Sequence, residues 1–322
     1  MKHITSAVLL AAGFGTRLRP LTQRQAKPSL PFFDRTVIHH LIEKLIDIGI
    51  KQLFINLHYR AGSIRRALRL DRFRSLEIHF SFEPTILGTA GALFPLRRYL
   101  QGEPFFLING DIVTDIDLRD VIDSHRHHEN AIATIVLHPS SAHYGYPQIG
   151  ASSDFWLTRF PYGVLRDGDY DWSGTFAGIH ILEPEFLKFI DRKAFMCINS
   201  EIYPRILELG HRVGVYRHDG YWSDIGTIKS YYRAHFHVLQ GLLKLPGVSD
   251  PPMDHWAHPT SQVDSGTRMG SNVVLCPGCT IGREVVLENI VVWPGIHIPD
   301  GSCYKNGILV DSKTFISITD ES

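Results

Sequence analysis

The C-terminal part of the chain carries a six-residue repeat, and few architectures can accommodate that period. Apolar side chains recur in one series: Val263, Met269, Leu275, Ile281, Leu287 and Trp293. Four positions later a second series runs through Thr267, Val273, Cys279, Val285, Val291, His297 and Cys303. Such a repeat is typical of a left-handed parallel β-helix made of hexapeptide turns. Roughly seven hexads are present, enough for about two coils, and a few unrelated strands are the alternative.

The register of this repeat also bears on Cys276 and Cys279, which form a C-x-x-C pair. Such a pair can bind a metal or carry out redox chemistry. Cys279 stands on an inward position of the repeat and no second pair follows, so we predict that both are core and corner residues. Four cysteines in 322 residues form no disulfide framework and indicate a reducing compartment.

The first half of the chain alternates short apolar runs with helical patterns. The runs that predict strands are 4–12, 52–57, 76–82, 105–108 and 131–137. The patterns that predict helices are 37–48, which ends at Gly49, and 61–70, 89–100 and 118–129. Strand and helix in alternation predict a Rossmann-like, doubly wound α/β fold with a mostly parallel sheet covered on both faces. Ligands on such sheets bind outside the carboxyl ends of the strands.

Further along, the pattern is less regular, with a strand predicted over 176–182 and helices over 201–209 and 231–243. A proline-rich stretch then precedes the repeat. We therefore predict an α/β domain over residues 1–246, a linker over 247–259 and a short repeat domain over 260–322. The histidine-rich run 124–129 ends an amphipathic helix, and we predict a solvated face there.

Charge and hydropathy exclude several classes of function. Lys plus Arg and Asp plus Glu are equal at 33 each, so no general field attracts nucleic acid or acidic membranes. No apolar run approaches the ~18 residues of a membrane helix. The short apolar run at the N-terminus is predicted to be a buried strand, not a signal sequence. We expect a soluble, cytoplasmic protein that binds neither nucleic acid nor membrane.

A glycine-containing loop follows the first predicted strand and reads Ala-Ala-Gly-Phe-Gly-Thr-Arg from Ala11 to Arg17. Glycines let the backbone approach a phosphate chain and direct N–H groups at it. Arg17 and Lys27 add positive charge. The dinucleotide fingerprint requires glycine where Leu18 stands, and the Walker loop requires Gly-Lys-Ser/Thr, which is absent. The loop predicts a phosphate site of another kind.

Four motifs in order resemble the sugar-1-phosphate nucleotidyltransferases, also called NDP-sugar pyrophosphorylases. They are LAAGFGTRLRPLT…AKPSLP at 10–31, LGTAGAL at 87–93, NGDIVTD at 109–115 and WSDIGT at 222–227. The resemblance covers nearly the whole chain, since members often append a hexapeptide β-helix. It implies that residues 1–246 form the catalytic domain.

The resemblance also implies a reaction, in which a sugar phosphate oxygen attacks the α-phosphorus of a nucleoside triphosphate and pyrophosphate leaves. Such chemistry needs mostly positioning and charge neutralisation. By similarity, Arg17 holds the β- and γ-phosphates, and Lys27 neutralises charge near the α-phosphate. Asp111 and Asp224 would share a Mg²⁺ ion. The catalytic residues are then Arg17, Lys27 and Asp111.

The resemblance implies a nucleotide site on the loop and the neighbouring strand ends. Its residues are Leu10, Ala11, Ala12, Gly13, Gly15, Thr16, Arg17, Lys27, Glu83, Gly88, Thr89, Asn109 and Gly110. Glu83 and Gly88 would meet the edge of the base. A carboxylate only accepts hydrogen bonds, and guanine offers two adjacent donors on that edge. This favours guanine slightly if Glu83 points inward; a surface role is the alternative.

The residues expected to hold the sugar phosphate differ from those usual in the family. Many members carry Glu-Lys-Pro where this chain reads LTRFPYG at 157–163, without lysine, and the usual Asn-Ala-Gly is Phe-Ala-Gly at 176–178. Arg159 could replace the lysine, or be a solvated arginine. By position, the candidates for holding the sugar are Tyr144, Gly145, Arg159, Gly178, Glu201 and Trp222.

The partners implied are therefore a nucleoside triphosphate and a sugar 1-phosphate. The loop and the repeat domain resemble mannose-1-phosphate guanylyltransferases most, which favours GTP with mannose 1-phosphate slightly. Two runs, Thr-Phe-Ala-Gly-Ile at 175–179 and Asn-Gly-Asp-Ile at 109–112, resemble the N-acetylmuramate-1-phosphate uridylyltransferases. A UTP-dependent uridylyltransferase for an N-acetylated sugar 1-phosphate is therefore an alternative. A weakly catalytic regulatory homologue that binds nucleotide-sugar is another, supported by the missing Glu-Lys-Pro and by Ala26, where proline is usual. The exposed end and edges of a β-helix invite pairing, so we expect a homo-oligomer.

Overall fold

The structure is a computed structural model of the chain, and it describes residues 3–69, 73–139, 146–161, 170–191, 194–248 and 252–319. The strands of the N-terminal part are β1 (Ser6–Leu10), β2 (Pro31–Phe32), β3 (Arg35–Thr36), β4 (Gln52–Leu57), β5 (Glu77–Phe82), β6 (Phe105–Asn109), β7 (Ile112–Thr114), β8 (Ala131–His138), β9 (Gln148–Ala151), β10 (Leu157–Arg159), β11 (Trp172–Leu182), β12 (Arg212–Arg217) and β13 (Trp222–Asp224).

One large sheet organises this part of the molecule. Strands β5, β4, β1 and β6 lie side by side and are all parallel. Strand β11 then runs antiparallel to β6 and also to β8, while β12 is parallel to β8. Strands β9 and β10 extend the sheet beside the first half of β11. The predicted α/β fold and its parallel strands β5, β4, β1 and β6 are confirmed. The sheet as a whole is mixed and not mostly parallel, because β11 runs antiparallel to β6, β8 and β9 and so reverses the strand direction.

The helices are α1 (Val37–Asp47), α2 (Ala61–Ala67), α3 (Gly88–Gly91), α4 (Leu118–His127), α5 (Tyr203–Glu208) and α6 (Ile228–Leu239). Helix α1 begins at a capping box between Thr36 and His39, and Gly49 follows its end with φ of 85°. The helix predicted over 89–100 is instead the short α3 followed by a 3₁₀ turn over Phe94–Tyr99. Pro95 explains the break, because it has no N–H to donate to the preceding turn.

Histidines contribute unusually to the core. The run 124–129 is not wholly solvated, because His125 and His128 are buried. His125 Nδ1 lies 2.8 Å from Thr134 Oγ1, and its Nε2 lies 3.4 Å from Glu183 Oε1. The predicted solvated face is therefore wrong for these two positions, since the end of α4 packs on β8 instead of facing water alone.

Three further histidines are buried, and burial lowers the pKa of His40 to about 4 and those of His180 and His235 to about 3. A free histidine has a pKa of about 6.5, so each of these takes up a proton on unfolding once the pH falls below that value. The free energy of unfolding should therefore decrease as the pH is lowered from about 6.5 to about 4, by up to about 1.4 kcal/mol per histidine per pH unit.

Urea unfolding at a series of pH values measures this slope. His235 is the best probe: its ring lies 4.6 Å from that of Phe32, and its Nε2 has no hydrogen-bond partner among the described residues. We expect His235→Phe to lower the slope by about one proton. His127→Gln, on the exposed face of α4, should leave the slope unchanged. An identical slope in His235→Phe and the parent would contradict the assignment.

The C-terminal part consists of short strands: β14 (His255–Ala257), β15 (Gln262–Val263), β16 (Arg268–Met269), β17 (Val273–Leu275), β18 (Thr280–Ile281), β19 (Val286–Val292), β20 (His297–Ile298), β21 (Cys303–Asp311) and β22 (Thr314–Ser317). Except for the antiparallel β22, they pair in parallel, each with a strand about three hexads away. Thr280, for example, pairs with Gln262 before it and with His297 after it.

The register of the repeat changes once. Thr280 lies 18 residues after its partner Gln262 but only 17 before its partner His297. His297 and Cys303 are consequently exposed, whereas Ile296 and Ile298 are buried. The last two positions of the predicted second series are therefore wrong, because one turn is a residue shorter than the others. Cys276 and Cys279 are both buried, as predicted for core and corner residues.

The two parts of the chain share one hydrophobic core. Trp293 Nε1 donates to Tyr231 Oη over 3.0 Å, and Tyr232 Oη donates to the Asn289 carbonyl over 2.5 Å. The rings of Phe33 and Trp256 lie 5.0 Å apart, with Trp256 on β14, inside the stretch predicted as a linker. The C-terminal strands therefore cover α6 and the segment after the glycine loop. In the described ranges, no helix is long and apolar enough to cross a membrane.

Candidate active site

A cavity opens at the carboxyl ends of β1 and β6. It is lined by Leu10, Ala11, Gly13, Gly15, Thr16, Arg17, Lys27, Pro28, Asp111 and Gly226. The fold thus brings the predicted loop residues together with Asp111, which follows β6. Gly226 belongs to the fourth sequence motif, and Pro28 follows Lys27; neither was among the predicted site residues. Ala12, another predicted loop residue, is buried.

The loop is held open by its own backbone and by buried side chains. Gly15 has φ of 61°, a left-handed conformation that suits glycine, and its carbonyl accepts a hydrogen bond from Thr22 Oγ1 over 2.7 Å. Leu18 and Leu21 are fully buried in the core that the C-terminal strands share. The hydrophobic core therefore anchors the glycine loop through Leu18 and Leu21, while Thr16 and Arg17 stay exposed at the cavity.

Lys27 and Asp111 form an ion pair in the floor of the cavity. Lys27 Nζ lies 2.6 Å from Asp111 Oδ2, and the lysine side chain is only 11% exposed. Ion pairs this enclosed are screened little by solvent and fix the positions of both groups. Lys27 lies in a 3₁₀ turn, Lys27–Ser29, whose preceding residue Ala26 donates its N–H to Ser63 Oγ over 2.9 Å.

Asp224 lies beside Asp111 because β13 pairs with β7. Asp224 is opposite Ile112 in that ladder, and the Ile225 N–H donates to the Asp111 carbonyl over 3.1 Å. A Cβ on Gly226 would lie 3.0 Å from Asp224 Oδ2 and 3.1 Å from Arg17 Nη2. The absence of a side chain at Gly226 therefore lets the arginine and the carboxylate converge.

Tyr146 is a site residue that sequence reasoning missed. Partial burial raises the pKa of its phenol, and so does the hydrogen bond that the hydroxyl donates to the Asp224 carboxylate. Its ring lies 6.0 Å from that of Trp222 in an edge-to-face contact. A protonated tyrosine here orients Asp224. The pairing is between elements distant in sequence, so no local pattern could have revealed it.

Asn109 and Gly110 connect the cavity to the predicted sugar side. The Gly110 N–H donates to the Leu10 carbonyl over 2.9 Å. Gly178 has φ of 80°, and a Cβ there would lie 3.0 Å from Asn109 Nδ2. Trp222 Nε1 donates to the Ala177 carbonyl over 2.8 Å. Gly178, Trp222 and Asn109 therefore lie close together.

The other predicted sugar-side residues are placed differently. Arg159 is exposed on β10, with its guanidinium 5.6 Å from the ring centre of Tyr170. Glu201 Oε1 accepts a hydrogen bond from the Cys197 N–H over 2.7 Å. Tyr144 and Gly145 lie outside the described residues. Neither Arg159 nor Glu201 lines the cavity described above.

Gly88 and Thr89 lie at the start of α3 against the segment after residue 194. A Cβ on Gly88 would lie 2.5 Å from the Met196 carbonyl oxygen, so only glycine fits there. Thr89 Oγ1 accepts a hydrogen bond from the Ile198 N–H over 2.8 Å. Glu83, the other residue predicted at the base, is 1% exposed and bonds to Asn56 and to the Leu87 N–H.

Comparison with known proteins decides the family. The sequence profile described as "Nucleotidyl transferase" matches residues 6–241, well over half of the chain. The chain belongs to the nucleotidyl transferase family. The resemblance drawn from the four motifs is confirmed, and the protein is a nucleotidyltransferase enzyme.

Curated relatives match along most of this nucleotidyltransferase. Mannose-1-phosphate guanylyltransferase 1 of Arabidopsis thaliana is 29% identical over 317 residues, which cover 94% of this chain and 85% of the relative. The mannose-1-phosphate guanylyltransferase catalytic subunit beta of Drosophila pseudoobscura pseudoobscura is 30% identical over 87% of this chain and 71% of the relative. UTP–glucose-1-phosphate uridylyltransferase of Synechocystis is 26% identical over 91% of this chain and 86% of the relative.

The fold also matches solved structures. HddC from Yersinia pseudotuberculosis, in a crystal structure with GMP-PN, superposes with a TM-score of 0.59 over 72% of this chain and 98% of HddC. Its sequence is 23% identical, so the likeness concerns the fold alone. The superposition covers nearly all of HddC but only 72% of this chain, which agrees with a nucleotidyltransferase-like α/β part to which the C-terminal strands are added.

Proposed function

We propose that the protein transfers a nucleotidyl group from a nucleoside triphosphate to a sugar 1-phosphate, giving an NDP-sugar and pyrophosphate. One observation carries the proposal: a single cavity joins the glycine loop, Arg17 and Lys27 to Asp111, with Asp224 beside it. Cationic side chains and backbone N–H groups suit a triphosphate, and paired carboxylates suit the metal that accompanies one.

The residues present fit Mg²⁺. No cluster of three or more His, Cys, Asp or Glu side chains within the described ranges is placed to hold a metal alone. Mg²⁺ does not need one, since it is usually held by one or two carboxylates together with substrate phosphates and water. Asp111 and Asp224 would hold it, with Tyr146 orienting Asp224. Bound there, Mg²⁺ would neutralise charge on the phosphates.

The chain's own residues would do the rest by positioning. Loop N–H groups and Arg17 would bind the β- and γ-phosphates. Lys27, which pairs with Asp111 and lines the same cavity, would neutralise charge near the α-phosphate. An oxygen of the sugar phosphate forms a bond to the α-phosphorus, and the bond from the α-phosphorus to the bridging oxygen of pyrophosphate breaks. Arg17 stabilises the charge on the departing pyrophosphate. No protein nucleophile is required.

We favour GTP and mannose 1-phosphate as substrates. Relatives that carry the name mannose-1-phosphate guanylyltransferase are 29% and 30% identical and align over most of the chain. The relative named for UTP and glucose 1-phosphate is less similar, at 26%. Gly178 and Trp222 make up the proposed sugar side, and Arg159 is the proposed ligand of the sugar phosphate.

We also propose that the C-terminal strands form a left-handed parallel β-helix, and that the protein is a cytoplasmic homo-oligomer. Parallel pairing about three hexads apart and the buried inward series support the first proposal. All four cysteines lie in the described ranges and are free, which suits a reducing compartment. Within the described part of the chain, strands β20 and β16 each pair on one side only and offer edges for association.

Pyrophosphate release tests the activity. The protein is incubated with MgCl₂, each of ATP, CTP, GTP, UTP and dTTP, and a panel of sugar 1-phosphates. We expect GTP with mannose 1-phosphate to release pyrophosphate fastest, and Arg17→Ala to lower that rate at least about a hundredfold. Fastest release with UTP would overturn the substrate assignment alone. Release from no pairing above the Arg17→Ala background would overturn the proposed activity.

A further inference from the structure

A buried hydrogen-bond relay joins the phosphate loop to the loop that precedes α3. Asn56 lies near the end of β4 and is 3% exposed; its Oδ1 accepts a hydrogen bond from the Ala11 N–H over 2.6 Å. Its Nδ2 donates to Glu83 Oε1 over 2.8 Å. Glu83 Oε2 in turn accepts from the Leu87 N–H over 2.9 Å. The chain of contacts therefore runs from Ala11 to Leu87.

The donors and acceptors of this relay can be assigned in one way only. The Ala11 N–H can only donate, so the Asn56 atom that faces it must be the oxygen. The amide NH₂ of Asn56 then needs an acceptor on its other side, and an ionised carboxylate is acceptor-only. The Leu87 N–H needs an acceptor as well. Glu83 satisfies both donors at once, with one carboxylate oxygen for each.

The burial of Glu83 also indicates that both of its carboxylate oxygens are engaged by protein donors. An ionised carboxylate removed from water needs hydrogen bonds on its oxygens, and here both oxygens have them from protein donors. At 1% exposure, Glu83 presents no free surface to a nucleobase. Its backbone is fixed too, since its carbonyl oxygen lies 2.7 Å from His58 Nδ1.

We propose that Glu83 is a positioning residue, acting through Asn56 on the phosphate loop, and that it does not read the base. This inference rests on the proposed function, since it assigns Glu83 a part in triphosphate binding. Asn56 fixes Ala11, the first residue of the loop that carries Thr16 and Arg17 to the phosphates. Leu87 precedes Gly88, so the same carboxylate fixes both walls of the nucleotide site.

Exchange of the carboxylate and the amide between positions 83 and 56 tests the relay. In Glu83→Gln, one of the two donors loses its acceptor. In Asn56→Asp, two carboxylates face each other. In the double variant, the amide NH₂ introduced at position 83 would donate to the carboxylate introduced at position 56, which still accepts from Ala11. The amide oxygen at position 83 would still accept from Leu87, so every donor is satisfied again.

We expect each single variant to lower kcat/KM for the nucleoside triphosphate about ten- to a hundredfold, with kcat falling as well as KM rising. The factor should be the same for each triphosphate that the enzyme uses, so that base preference is unchanged. The double variant should recover most of the loss. Glu77→Gln, an exposed glutamate on the same strand β5, is the matched control and should change neither parameter.

The results separate the possibilities. A change in base preference in Glu83→Gln that the double variant does not reverse would overturn the relay and make Glu83 a base reader. Recovery of the thermal midpoint in the double variant without recovery of kcat would show a merely structural role and also overturn it. A parent protein that turns over no triphosphate would overturn the proposed function only. Calorimetric binding of GTP across the four proteins would then decide the relay, and loss of binding in the singles with recovery in the double would support it.

Discussion

Asp111→Asn is expected to lower the rate of pyrophosphate release about a thousandfold or more, with the protein still folded. Asparagine preserves the shape of the side chain but removes the negative charge that pairs with Lys27 at 2.6 Å and that would bind the metal. Loss of one preorganised electrostatic contact typically costs about 10²–10³ in kcat, and two are lost here. The measurement is the initial rate with saturating GTP and sugar 1-phosphate at several concentrations of MgCl₂.

The matched control for this substitution is Asp123→Asn. Asp123 lies on α4, is well exposed, and its carboxylate pairs with Arg126 on its own helix. Its removal should leave the rate within about twofold, because exposed ion pairs contribute little. A rate for Asp111→Asn similar to that of Asp123→Asn, with unchanged dependence on Mg²⁺, would rule out the proposed role of Asp111.

Truncation after residue 248 is expected to prevent the α/β part from folding as a soluble, cooperative unit. The deletion removes Trp256 and Trp293, which contact Phe33 and Tyr231, and exposes the apolar side of α6. Each large side chain uncovered forfeits about 1.5–3 kcal/mol, and several are uncovered together, against a typical net stability of about 5–15 kcal/mol. Near-ultraviolet circular dichroism and thermal unfolding of the truncated protein measure the effect.

Two milder changes make this truncation experiment decisive. Removal of residues 313–322 deletes β22 and the few residues after it. It should lower the thermal midpoint far less, because β22 pairs at the edge of β21 and its side chains are exposed or only partly buried. Trp293→Phe keeps most of the packing and loses the hydrogen bond to Tyr231, which should cost about 1 kcal/mol. A truncated protein with a sharp unfolding transition near that of the full chain would show that the C-terminal strands are an independent domain.

The C-terminal strands also support the glycine loop. Leu18 and Leu21 belong to the same core as the C-terminal strands, and Arg24 pairs with Asp311 over 3.0 Å. The loop that would bind the triphosphate therefore rests partly on residues almost three hundred positions away in sequence. The Arg24–Asp311 pair is exposed on the arginine side, so its contribution to stability is small.

Elements with strong local signals were predicted well. Strand β4 matches its predicted bounds, and α1 begins at the predicted residue and is followed by Gly49. Prediction failed where a single residue overrides a pattern. Pro95 breaks the helix predicted over 89–100, and one short turn shifts the repeat so that His297 faces outward. The stretch predicted as a linker holds β14, whose Trp256 is buried against Phe33.

The sequence by itself determined the family and led to the prediction of a phosphate site at the glycine loop, because glycines, Arg17 and Lys27 lie within one short segment and their order is a local property. Only the tertiary structure decided how the site is held together. Asn56 and Glu83 meet because β4 and β5 are neighbours in the sheet, and Tyr146 reaches Asp224 across elements far apart in sequence. Hydrogen bonds between distant strands leave no periodicity to read, so the residues that position the site emerge only once the chain is folded.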